Sequence, residues 1–245
     1  MVEFRGGEKM TAPNSKRVAV VVAHADDEVL GCGGTLKRHT MMNDEVWTII
    51  LADGETSRHG DPSSSESVRA GIVARTQSAQ KASQALGVQH THVHEFPDNR
   101  LDTRPLLEII RVVEQHIRQI GPDTVYTHHA GDVNIDHRLV HQAVITACRP
   151  RPGHPVRDLL FFETPSSTEW QPAHSAQAFL PNWFVDISEA LEHKLAALKC
   201  YDEEMRPWPH PRSYEGVADL ARWRGASVGC AAAEAFILGR RIRRV

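Results

Sequence analysis

Several features that would sort this sequence quickly are missing. It has no C-x-x-C pair. Its four cysteines (Cys32, Cys148, Cys200, Cys230) are far apart, which suits reduced thiols and excludes a cysteine-built zinc site of the usual spacing. No apolar run approaches the roughly 20 residues a membrane span needs. Nor is there a basic excess: 28 Lys and Arg against 31 Asp and Glu give a formal net charge of -3, the wrong balance for a phosphate-backbone binder. The opening stretch, MVEFRGGEKMTAPNSKR, contains no apolar h-region and does not read as a secretory signal. No internal repeat or low-complexity segment interrupts the chain. These absences predict a cytoplasmic protein with no nucleic-acid partner and no membrane span. What is present in quantity is histidine, 15 residues, and the question becomes where these cluster.

Periodicity predicts one domain. Residues 1–15 read as a loose tail and residues 16–245 as the folded unit, within the size range of a single core. Residues 17–23 (RVAVVVA) and 46–52 (VWTIILA) are β-branched runs of the kind buried on both faces of a sheet. Further strands are expected at 88–95, 123–127, 159–163 and 183–187. Between them, helices are expected at 35–42, at 66–86 stopped by Gly87, at 105–120 with Thr103 as cap, at 136–148, and from a Ser188 cap to 201. One or two shorter helices should fill the C-terminal part. This alternation predicts an α/β fold, a Rossmann-like, mostly parallel sheet with helices on both faces. In such sheets ligands bind beyond the carboxyl ends of the strands.

Two motifs fall at those ends. His24-Ala25-Asp26-Asp27-Glu28 follows the first strand. Three carboxylates at a buried sheet edge repel unless paired, and a divalent cation removes that cost, His and Asp being good zinc ligands. Gly31-Cys32-Gly33-Gly34 comes next, but G-x-G-x-x-G would need glycine where Leu36 stands, and the carboxylates would repel a pyrophosphate. These glycines are expected to form a tight turn instead. The second motif, residues 128–137 (HHAGDVNIDH), follows the fourth strand. His137 is chosen there as the third ligand of a site with one open position for water, the arrangement of a catalytic zinc. Asp132, Asn134 and Asp136 are available to orient its ring.

Together the two motifs resemble the LmbE-like (PIG-L) family of zinc-dependent de-N-acetylases over residues 17–240. The resemblance implies Zn2+ held by His24, Asp27 and His137, with Asp26 as general base and Asp136 as the supporting carboxylate. Ala25 replaces a proline common in the family. Asn134 stands where many members have a histidine that stabilises the oxyanion. Arg75 matches an arginine that contacts substrate, although a glutamate that often follows it is Ser78 here. Asp98, in Phe96-Pro97-Asp98, matches an aspartate that contacts sugar hydroxyls. His210 is the candidate for a late histidine that reaches the site from a neighbouring subunit in chitobiose-type relatives, so a homo-oligomer is expected, and Arg212 is placed to bind a substrate hydroxyl or phosphate. The implied reaction is hydrolysis of an N-acetylated amino sugar, such as an N-acetylglucosamine conjugate, or a related small amide. The alternatives are a metal-dependent phosphoesterase and a non-catalytic sugar-binding member of the fold. Specificity is expected in the loops at 53–65, 96–103 and 164–182.

Overall fold

The computed structural model describes residues 15–58, 66–172 and 177–243. The expected tail at 1–15 therefore lies almost wholly outside the described residues, as do parts of the loops at 53–65 and 164–182. Seven strands form one sheet in the order β3-β2-β1-β4-β5-β7-β6. β1 (Arg17–Val22), β2 (Glu45–Ala52), β3 (His90–Phe96), β4 (Thr124–His128) and β5 (Asp158–Phe162) run parallel. β7 (Ala233–Arg241) and β6 (Trp183–Asp186) complete the sheet as antiparallel strands. The apolar runs are buried as their composition requires: Val18 to Val22 have no exposed surface.

Helices cover both faces. Leu30 and Leu36 of α1 (Asp27–Met41), Ala79 and Ala82 of α2 (Glu66–Leu86) and Leu198 of α5 (Leu191–Leu198) pack with Val18, Val20 and Val22. On the other face, Ile109 and Val113 of α3 (Leu106–Ile120) and Val140 and Val144 of α4 (Ile135–Ala147) pack with Ala19, Val21 and Ile49. α6 (Tyr214–Ala226) precedes β7. Among the described residues no helix is long and apolar enough to cross a membrane.

The strand order reverses between β1 and β4, which are hydrogen-bonded neighbours. That is the switch point where doubly wound sheets open a crevice, and both sequence motifs lie on it.

Four local expectations need correction. The helix expected from residue 35 begins at Asp27, so the glycines lie inside α1 and not in a turn before it. Cys32, at φ -148°, breaks the helix in two, and a Cβ on Gly31 would meet the Phe162 ring at 2.2 Å. Those glycines permit close packing. Thr103 does not cap α3, whose N-cap is Pro105, because residues 101–103 form their own 3-10 turn. Ser188 bonds Asp186 in a turn, and the N-cap of α5 is Ala190. Last, β7 occupies a stretch where only helices were expected.

Candidate active site

The carboxyl end of β1 runs into α1 through Asp26, a buried residue at φ 133°, outside the comfortable range for a side chain. Asp26 occupies the N-cap position of α1 yet makes no side-chain cap, so its carboxylate is left for other contacts. One residue on, Asp27 Oδ2 accepts from the His24 backbone N–H at 2.8 Å and lies 3.3 Å from His24 Nδ1. The second loop is shaped by Asn134, which caps α4 by accepting from the N–H groups of Asp136 and His137. This fixes His137 in the first helical turn, with Nε2 3.3 Å from Asp27 Oδ2. Ligand atoms of His24, Asp27 and His137 all lie within 4.8 Å of one another.

Each imidazole has its own supporting carboxylate. His137 Nδ1 is 3.1 Å from Asp132 Oδ1, and Asp132 in turn accepts from the hydroxyls of Ser167 and Thr168. His24 Nε2 is 3.2 Å from Asp136 Oδ2, whose other oxygen accepts from the Leu101 N–H at 3.0 Å. Of the three second-loop residues available to orient His137, the structure gives that position to Asp132 and places Asp136 against His24. Behind them, His128 stacks on His137 with centroids 3.9 Å apart. His128 Nε2 accepts from the Ala23 N–H at 3.0 Å, so this ring is neutral on that nitrogen.

The electrostatics are those of a cation site. Burial disfavours charge on Asp27, but the charge of His137 and the hydrogen bonds from His137 and His24 outweigh it and hold the carboxyl well below the usual range. Burial works against a charged His137 too, yet Asp27 and Asp132 raise it to about 9. His24 is raised in the same way: burial opposes its charge, and Asp136 and Asp27 overcome it. One observation tests directly whether these residues suit a metal. Asp27 Oδ1 is buried with no hydrogen-bond partner, a costly state for a carboxylate oxygen unless a cation meets it. The donor set of two imidazoles and one carboxylate fits zinc.

These groups open onto a cleft of about 340 Å³ lined by polar side chains, with no Phe, Tyr, Trp, Leu, Ile or Val among its described lining residues. Asp26 lies in its wall, and burial lifts its carboxyl to about 6 against the opposing pull of Arg212. Arg212 donates through Nη1 to Asp26 Oδ2 at 2.9 Å and through Nε to Ser166 Oγ at 3.0 Å. Arg75 lines the cleft but is ion-paired with Glu204, which also takes Arg58 at 2.6 Å. Asp98 lies 3.3 Å from His24 Nε2 and accepts from the Ser57 hydroxyl. Asn134 lines the cleft with its Nδ2 donating to Asn99 Oδ1 at 3.1 Å. His210 is not among the lining residues. Its Nδ1 accepts from the Arg212 N–H, and its ring meets Trp170 edge-on.

Glu28, the third carboxylate of the first motif, turns away from this cluster. Its Oε1 accepts from Tyr201 Oη at 2.6 Å and its Oε2 from the Asp26 N–H at 3.1 Å, and burial pushes its carboxyl up to about 8, so it props the loop from beneath. Sequence reasoning missed Tyr201, Glu204, Arg58 and Ser166. Their partners lie on distant segments, and only Arg58 and Ser166 fall in loops singled out in advance.

The carboxylate-imidazole cluster at the switch point of this doubly wound sheet opens on a polar cleft and could hold a metal ion. Residues 19–148 match the family model PIG-L, GlcNAc-PI de-N-acetylase, and the chain belongs to that family. It is 31% identical over 195 residues to the uncharacterised deacetylase YaiS of Escherichia coli (strain K12), covering 77% of this chain and 92% of YaiS. It is 29% identical over 200 residues to diacetylchitobiose deacetylase of Thermococcus kodakarensis, covering 77% of this chain and 70% of the relative. Among solved structures, GalB, the 4-carboxy-2-hydroxymuconate hydratase of Pseudomonas putida KT2440, superposes with a TM-score of 0.68 at 22% identity, covering 94% of this chain and 98% of GalB. That last likeness is one of fold, and it shows that the architecture by itself does not name a reaction.

Proposed function

We propose that the chain is a zinc-dependent de-N-acetylase that hydrolyses the acetamide of an N-acetylated amino sugar, such as an N-acetylglucosamine conjugate, releasing acetate and a free amine. The observation that carries this reading is the pairing of two neighbours in one loop. Asp27 has Oδ2 3.3 Å from both His24 Nδ1 and His137 Nε2 and a buried Oδ1 with no hydrogen-bond partner, while Asp26, beside it, faces the cleft. Family membership and deacetylase relatives support it.

His24, Asp27 and His137 would hold the metal. When bound there, zinc supplies Lewis-acid polarisation of the acetamide carbonyl and a more acidic water. Asp26 takes the proton from the attacking water and returns it to the departing amine. Arg212 holds one oxygen of Asp26, and the other has no hydrogen-bond partner among the described residues. Of the two expected oxyanion donors, Asn134 lines the cleft, so its Nδ2 is assigned that task, leaving Asn99 to do so. Arg75 and Asp98 in the wall bind sugar hydroxyls, and the polar lining suits a hydroxyl-rich substrate.

The test is acetate release from a panel of N-acetyl sugars, free, phosphorylated and nucleotide-linked, with metal content measured alongside. Acetate should appear from at least one, and Asp26→Asn should keep zinc while losing at least about 10²-fold in kcat, the share typical of a general base. Phosphate release, or addition of water to an unsaturated acid with no acetate formed, would replace this reading with a phosphoesterase or a hydratase.

A further inference from the structure

The edge strand β3 carries His90, His92 and His94 at alternate positions, so their side chains share one face. The strand is at the end of the sheet, with β2 its only neighbouring strand among the described residues. His90 is occupied elsewhere: it stacks on Trp47 at 4.7 Å and bonds Glu45 at 3.1 Å. The other two meet His116 of α3. His94 Nε2 lies 2.8 Å from His116 Nε2, and the His92 and His116 ring centroids are 5.0 Å apart.

Three features separate this cluster from an ordinary patch of histidines. Among the described residues no carboxylate or hydroxyl is hydrogen-bonded to any of the three rings. The two facing nitrogens can share only one proton, and at least one of them presents a lone pair to the other. The spacing is also that of two ligands on one ion. With metal–nitrogen bonds of about 2.0–2.1 Å, nitrogens at a right angle sit roughly 2.9 Å apart, and at the tetrahedral angle roughly 3.3 Å apart. The observed 2.8 Å is close to the first value and needs about half an ångström of opening to reach the second.

We propose that His92, His94 and His116 form a second, all-imidazole site for a divalent transition-metal ion, at the sheet edge and independent of the cleft. His92 is exposed and gives the ion its path in; as placed, the three rings do not bring one nitrogen each within 4.8 Å of one another, so the His92 side chain has to rotate towards the His94–His116 pair when the ion binds. Imidazole donors select Cu2+, Ni2+ or Zn2+ over Mg2+ and Ca2+. Burial and the neighbouring imidazoles push His116 down to about 4, and His94 is lowered by burial and His92.

The whole protein is titrated with Cu2+ and, separately, with Zn2+, and bound metal is counted after gel filtration. The wild type should retain two ions per chain, and His94→Gln/His116→Gln should retain one, with acetate release unchanged. Asp27→Ala should retain the edge ion alone, which separates this site from the cleft. If the double variant fails to fold, His92→Gln decides. It replaces an exposed ring, and it should weaken the second ion by more than the roughly tenfold typical of losing an outer partner. A wild type that binds one ion, an edge variant that still binds two, or an equal loss in His193→Gln, a lone exposed histidine, overturns the proposal.

Discussion

His24 and His137 in the cleft lie against Asp27, Asp132 and Asp136, whereas His94 and His116 at the sheet edge lie against imidazoles and the Phe96 ring, with no carboxylate bonded to them among the described residues. Burial acts on all four in the same direction, against the charged ring. In the cleft the carboxylates reverse that push, and His137 rises to about 9; at the edge nothing does, and His116 falls to about 4. The side chain is the same in both places. What differs is whether anionic neighbours make the site attract positive charge before any ion arrives, and this distinction is open to test from several sides.

The largest effect should come from taking the central carboxylate out of the cleft. Asp27→Ala leaves two imidazoles without the charge that gathers them, so the cleft ion and acetate release should both be lost. Elemental analysis beside the activity assay checks this, and a variant that keeps its cleft metal would show that the carboxylate does not set the difference. Next comes Asp132→Asn, which touches His137 but not the ion. Metal affinity should fall by about 10- to 100-fold, as expected for an outer partner of a ligating histidine, measured by competition with a chelator.

A smaller effect is expected at the base. Arg212→Ala removes a charge-assisted hydrogen bond, a contact worth about 1.5–3 kcal/mol, so kcat should fall by roughly 10- to 100-fold. Because Arg212 draws the Asp26 carboxyl downward, its removal should also shift the acidic limb of the pH–rate profile to higher pH, a change that mere loosening of the loop would not produce. His210→Ala should cost less than Arg212→Ala, and a larger loss would give His210 the direct role that its position in the sequence suggested.

The smallest effect belongs to the sheet edge and appears in stability. His116 binds its proton near 6.5 when unfolded and near 4 when folded, so the unfolded state binds more protons between those values. Stability is therefore complete above about 6.5 and is lost as pH falls towards 4. His116→Gln should flatten this part of the profile by something on the order of 1 kcal/mol. Thermal unfolding at pH 7.5 and pH 5 in both proteins is the measurement.

Sequence reading reached the first half of the molecule better than the second. β1, β2 and β4 are buried on both faces, and their composition announces it. Their loops carry acidic and histidine residues where apolar runs end, so His24, Asp26, Asp27 and His137 were legible as a group, and the structure brings them together. β7 was not legible. Its first half is buried and contains Glu234, its second half is largely outward-facing, and Gly239 interrupts it, so neither a strand nor a helix period stands out. The contact between Arg212 and Asp26 spans 186 positions, and no local pattern can carry such a pairing. His116 likewise reads as one helix residue among many until β3 is laid beside it.

The break in α1 has a consequence for the order in which the chain comes together. Beyond Cys32 the helix starts again, and the freed N–H groups of Gly34 and Thr35 are met by Glu234, at 2.9 Å and 2.6 Å, which also takes Lys194 at 2.6 Å. The anchor for an element begun 27 residues into the chain is thus made about two hundred positions later, by a strand that slots between β5 and β6. During synthesis, the loop holding Asp26 and Asp27 emerges long before its support exists, so a nascent chain ending before residue 233 has the ligands but not the frame. Such late closure is slow by its sequence separation, and the ability to bind the ion should appear only when the last strand has docked.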